Sequence, residues 1–149
     1  MTPIIVYPSS LTELRSKLKY KSMNKVSITH MSNAHTDWLR GLDFYKEEVN
    51  ILKSRLTEIA GKNTSKEIQK EIGHFESQFN IQIENIHKLS HDIQANVKLA
   101  GREFLNSGAG YIDGELFEQH NELGKRYLAE EKTVGELKQA FYHFASPLM

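Results

Sequence analysis

Cysteine is absent from all 149 residues, which excludes disulfides, thiolate metal sites and cysteine nucleophiles. Proline is almost as scarce: Pro3, Pro8 and Pro147 are the three in the chain, and none interrupts its long middle. No sign of charge prevails, with Lys plus Arg and Asp plus Glu at 19 each, so there is no overall basic footprint of the kind that draws nucleic acid. Long hydrophobic runs are missing too, and nothing approaches the roughly 18–20 apolar residues that span a bilayer. The short run Ile4-Ile5-Val6-Tyr7 is too brief for a signal-peptide core and has no basic residue before it. These absences set the expectation of a cytoplasmic protein with neither nucleic-acid nor membrane partners. Glycine-rich phosphate loops are also lacking, because Gly108-Ala-Gly110 follows no strand and reads as a turn. Ser90-His91 does not make a nucleophile–base pair, since adjacency on a helix points the two side chains apart.

What the chain does hold is heptad spacing, most plainly over Thr64–Arg102. Apolar residues there fall at Ile68, Ile72, Phe75, Phe79, Ile86, Leu89 and Ile93, with Gln82 in the one gap. Steps of four and three keep one narrow stripe facing partner helices, so the run reads as a long central helix. A first long helix is expected from about Thr36 to Ala60, on the stripe Trp38, Leu42, Tyr45, Val49, Leu52, Leu56 and Ile59. Gly61 would end it and Thr64-x-x-Glu67 would cap the next, leaving a link of about four residues and an antiparallel return. Asn106–Gly110 reads as a turn and Asp113 as a cap. The last stripe is Leu116, His120, Leu123, Tyr127, Glu130, Val134, Leu137, Phe141, Phe144 and Leu148, with Pro147 in the final turn. Most of the 14 aromatic residues lie on these stripes and belong to a core rather than to a surface that stacks bases. The fold expectation is all-α: an antiparallel up-down-up bundle of three long helices, supercoiled left-handed because the repeat is seven.

The first 31 residues fit this pattern poorly. Ser10-Leu-Thr-Glu13 resembles a capping box, with Leu11, Leu14 and Leu18 along one side of a short helix. Arg15, Lys17, Lys19, Lys21 and Lys25 outnumber Glu13, giving residues 1–32 a net charge of +4 and the remainder −4. Residues 1–31 are expected to form a basic leader, loosely attached or disordered, ahead of a bundle domain at 32–149. Such a leader could meet acidic partners, or simply stay solvated.

Polar residues interrupt the stripes in one half of the bundle only. His35, Gln82, Asn96, His120 and Glu130 all stand at stripe positions, with Trp38 and Tyr127 beside them. Counting from the turns puts Glu130 near the level of Trp38 and Ile86, and His120 near Asn96. A buried carboxylate without a donor is costly enough to shift its pKa, so Glu130 needs the Trp38 indole N–H, Gln82 or His35 as a partner. These residues either fix register, as a buried Asn does in a coiled coil, or line a pocket.

A second constellation lies on the central helix, in Glu71-x-x-His74 and Glu84-x-x-His87-x-x-x-His91. Glu84, His87 and His91 share a helix side and are candidate ligands for a divalent metal, zinc or iron. The Glu-x-x-His motif is similar to that of ferritin-like di-iron bundles, which need it on two different helices, whereas both copies here are on one. Their phase also points away from the stripe, towards solvent.

Short motifs give one resemblance. His35-Thr-Asp-Trp38, Asn63-Thr64, His74-Phe-Glu-Ser-Gln-Phe79, His91-Asp-Ile93 and Phe141-Tyr-His-Phe144 together make roughly residues 32–149 resemble a group of small bacterial all-helical proteins of unassigned function. The resemblance implies a helical fold and brings no activity or site residues with it. The functional expectation is therefore a non-enzymatic interaction or structural bundle, homo-oligomeric or bound to a protein partner through a helix face. Outward Ile51, Ile81 and Ile83 would give that face its apolar surface. The alternative is a metal-binding His/Glu bundle, ferritin-like or hemerythrin-like in style, using Glu84, His87 and His91 outside or His35, His120 and Glu130 inside. No other cofactor is expected.

Overall fold

Between Pro8 and Gly41 the sequence has no proline or glycine, and without a breaker a helix, once begun, continues. The computed structural model describes residues 11–107 and 114–149, with side chains described for 30–103, 105 and 114–149. Helix α1 runs from Leu11 to Lys62, 52 residues or about 78 Å at 1.5 Å per residue. It therefore starts far ahead of the Thr36 expected from its apolar stripe, and it crosses the 31/32 boundary without a break. The stripe failed as a guide there because polar composition does not end a helix. Met31, placed in the leader, is 2% exposed and packs with Leu116. Ser10, the two early prolines and Asp113 lie outside the described residues.

Helix α1 passes through Gly61 rather than stopping at it. The chain turns at 63–65, where Asn63 Nδ2 donates to the Ile59 carbonyl at 2.8 Å. Gln69 Nε2 reaches back to donate to the carbonyls of Asn63 and Ala60. These amides serve the last carbonyls of α1, which have no partner within the helix. Helix α2, Lys66–Ser107, opens with the Gln69 amide donating to the Ser65 carbonyl at 2.9 Å, so it starts later than the expected Thr64 cap and ends later than Arg102. Helix α3, Gly114–Ala145, continues into a single 3-10 turn, Ser146–Leu148, that contains Pro147.

The three helices pack on one another with no strand among the described residues. Contacts between α1 and α3 rise together in residue number: His35 meets His120, Glu48 meets Lys138 and Arg55 meets Tyr142. Those between α2 and α3 run in opposite senses, with Phe75 on Phe144, Gln82 on Glu130 and Asn96 on Gln119. An up-down-up path orders its contacts in this way. Along α2 the buried positions are Ile72, Phe75, Phe79, Gln82, Ile86, Leu89, Ile93 and Asn96, alternating in steps of three and four.

One end of the bundle is wholly apolar. Leu52, Leu56, Ile59, Ile72, Phe75, Phe79, Phe141 and Ala145 are buried together. Phe141 lies edge-on to both Phe79 (centroids 5.5 Å apart) and Phe75 (5.7 Å), and Phe75 stacks on Phe144 at 5.1 Å. Such offset and edge contacts add to the burial of the rings themselves. Phe141 is fully enclosed, so Phe141→Ala should cost roughly 3–5 kcal/mol in chemical denaturation. A loss below about 1 kcal/mol would show that this end collapses around the cavity and is not held by ring packing.

Candidate functional site

The opposite half of the bundle carries the polar residues, and the structure divides them into two groups. His35 and His120 meet across α1 and α3, His120 Nδ1 lying 3.1 Å from His35 Nε2. Asn96 of α2 completes this layer, with Nδ2 3.5 Å from Gln119 Oε1, a long bond. His35 and Asn96 are each 3% exposed. Asn96 Oδ1 has no hydrogen-bond partner of good geometry, although the amide lies close enough to His35 to oppose the effect of burial on its pKa. Burial first, and then the neighbouring His120, press the His35 pKa down from 6.5 to about 4. Burial lowers that of His120 as well. At neutral pH both rings are therefore uncharged, one nitrogen of the pair donating and the other accepting.

Glu130 and Gln82 form the second group. With the Gln82 amide turned so that its nitrogen faces the carboxylate, that nitrogen donates to Glu130 Oε1 at 2.7 Å and Oε2 at 3.2 Å. Of the three partners expected for Glu130, Gln82 is the one found; Trp38 and His35 are both engaged at the histidine layer. Burial raises the Glu130 pKa. His35, His120 and Glu130 do not converge on one point, as an internal metal site would have required.

A run of rings extends from the histidine pair along α1 and α3. From Phe117 the order is His120, Trp38, Tyr127 and Tyr45, with successive centroids 6.2, 4.8, 6.1 and 6.3 Å apart and planes within 37° of parallel. His35 stands edge-on to both Trp38 and His120. Two glycines make room for this stack. A Cβ on Gly41 would collide with the Tyr127 hydroxyl, and one on Gly124 would come within 3.0 Å of Trp38 Cζ2. Burial, followed by the Tyr127 hydroxyl and the Glu131 carboxylate, raises the Tyr45 pKa, so the phenol stays neutral. Sequence reasoning placed Trp38 and Tyr127 here but missed Gln119, Gly41 and Gly124. Each glycine lies three residues from a ring on its own helix, a spacing that could have signalled close approach.

Beside this layer α2 and α3 leave a groove of about 540 Å³, open to solvent, lined by Asp92, Asn96, Leu99, Glu118, Gln119 and Arg126 among others. Arg126 Nη1 donates to Asp92 Oδ2 across it at 2.9 Å, which holds the Asp92 carboxyl below the usual range. The external metal candidates Glu84, His87 and His91 are all exposed. Among the described residues no three His, Cys, Asp or Glu side chains gather closely enough to hold a metal ion.

Two outcomes follow from this geometry. Gly→Ala inside a helix ordinarily stabilises by about 0.5–1 kcal/mol, and Gly73 and Gly135, with open space around them, should show that gain. Gly41→Ala should instead lower the melting temperature, because the new methyl would collide with the hydroxyl of Tyr127, whose ring would have to leave its place between Trp38 and Tyr45. A stabilising Gly41→Ala would show that the stack is loose. The second concerns Glu130, whose raised pKa means that the folded state keeps the carboxyl proton to higher pH than the unfolded state does. Stability is lost as pH rises through that interval, from 4.5 upward. Glu130→Gln removes the ionisation and should raise the melting temperature at pH 7, by about 2–4 °C for each kcal/mol recovered. The gain should vanish below pH 4.5, and a gain equal at both pH values would place the cause elsewhere.

No known family, curated protein or solved structure matches the chain, so the roles of these residues rest on their chemistry alone.

Proposed function

We propose that this chain is a non-enzymatic helical-bundle interaction protein that self-associates through a helix face. The observation that carries the reading is the pair Phe44 and Ile51, 57% and 54% exposed and seven residues apart on α1. Two turns of helix return a side chain to almost the same side, so the two form a short apolar strip that the bundle leaves open. On α2, Ile81 is 43% exposed, whereas Ile83 packs against the core and drops out of the expected apolar face. An isologous contact, in which the same strip meets its copy about a two-fold axis, removes this surface from water with the fewest additional parts.

The inward polar groups fit a structural role. Glu130 is held by Gln82, His35 and His120 hold each other, and Trp38 stacks on His120. Register control is the better account, since each pair costs stability when its helices slide past one another. Among the described residues no observation favours the metal-binding alternative. No helix among them is long and apolar enough to cross a membrane.

Light scattering on the eluting protein should give twice the 17.1 kDa of one chain. Phe44→Glu with Ile51→Glu should halve that mass while leaving the helical circular dichroism unchanged, because neither side chain belongs to the core. A single-chain mass for the unaltered protein at tens of micromolar (about the upper end of ordinary working concentration) would overturn the proposal.

A further inference from the structure

The histidine layer stands between two separate apolar clusters of the described residues. The main apolar cluster extends continuously from Ile59 and Phe75 up to Leu42, Ile93 and Leu123. Beyond His35, Asn96 and His120, the described residues form a separate cluster in which Met31 and Leu116 are buried, with Ala100 and Phe117 against it. The His35–His120 contact is the polar fastening between the two clusters.

We propose that His35 and His120 form an acid-operated latch: the uncharged pair holds α1 to α3 at this end of the bundle, and protonation releases it while the phenylalanine-rich end stays packed. The geometry sets the mechanism. With both rings neutral, one N–H points at one lone pair across 3.1 Å. A first proton leaves an imidazolium still able to donate to its neighbour, but it places a charge in a buried layer where, among the described residues, no carboxylate acts on it. A second proton sets N–H against N–H and like charge against like, and the rings must part.

Among the described residues no carboxylate acts on either ring. On α1, His30, Asp37 and Arg40 are exposed. On α2 the facing group is the Asn96 amide; Asp92, one turn away, is engaged by Arg126, and Glu103 stands two turns beyond Asn96. On α3, Glu115, Glu118 and Glu122 are exposed and Gln119 is neutral; Glu115, like Glu103, has contacts of its own. Glu130 works in the opposite direction, because its raised pKa favours the folded state in acid.

The sign and window follow from the two lowered pKa values. Above pH 6.5 the rings are neutral whether the latch is closed or open, and proton binding does not disfavour closure. As pH falls from 6.5 towards 4, the open state takes up protons that the closed state refuses, so closure weakens throughout that interval. Below about 4 the dependence levels off as the closed state protonates too.

The single tryptophan makes the opening readable. Trp38 stacks on His120 at 4.8 Å, so its emission should fall and shift to the red in one transition between pH 6.5 and 4. Helical circular dichroism should change little over the same range. Amide exchange measured at pH 5 and pH 7.5, corrected for the intrinsic effect of pH, should show protection lost around residues 31–38 and 116–123 but kept around 72–79 and 137–144. The His35→Gln, His120→Gln double variant should lose the tryptophan transition. Should that variant not fold, the exchange pattern of the unaltered protein decides alone. Uniform loss of protection, or a transition that persists in the folded double variant, would overturn the latch.

Discussion

Three long helices meet along one seam only a side chain or two wide, and whatever polar group stands on that seam must be satisfied from directly opposite. The rest of the molecule follows from this constraint. At the 63–65 end the seam is apolar, and ring packing alone closes it. Further along, Gln82 meets Glu130, and beyond them His35 meets His120. Because the repeat is strict, sliding one helix by a heptad would bring an amide or imidazole against an aliphatic side chain, at a cost of a few kcal/mol for each group left unpaired. The polar pairs therefore contribute more to the uniqueness of the arrangement than to its stability.

The seam also explains the aromatic stack. Rings as large as Trp38 and Tyr127 do not fit between helices at ordinary separation unless something facing them is small. Gly41 gives way to Tyr127 and Gly124 to Trp38, one glycine on each of the two helices that the rings bridge. The rings thus lie nearly flat in series instead of being pushed out to solvent, and the imidazoles take their places among them.

Heptad spacing made the helices and most of the core legible in the sequence. Val49, Leu52, Phe79, Ile93 and Phe141 are buried where the stripes put them, as are the polar members His35, Gln82, Asn96 and Glu130. The helix ends were less legible. Spacing reports where a helix is covered, not where it stops, and α1 runs on through a polar stretch with nothing to end it. Gly61 carried a stop signal that the helix overrides, while the contacts at the end of α1 come from the Asn63 and Gln69 side chains, a pairing that only the folded turn creates. For the candidate site, level-counting brought His120 to Asn96 and offered Gln82 to Glu130, but it could not show which of three donors would win. That depends on which way each ring turns, and ring orientation depends on the two glycines.

The length of chain between the partners at the histidine layer also bears on how the molecule assembles. His35 and His120 are 85 residues apart, while α1 and α2 are joined by a three-residue link. A hairpin of adjacent helices closes small loops first and can zip from its turn, α1 with α2 from residues 63–65 and α2 with α3 from the other end, where Asn96 and Gln119 are 23 residues apart. The phenylalanine end lies nearest the hairpin's turn and offers the most apolar area to an arriving helix. The His35–His120 pair joins α1 to α3 across both hairpins and needs all three helices in register, so the contact that fixes alignment acts as a check on hairpins already formed.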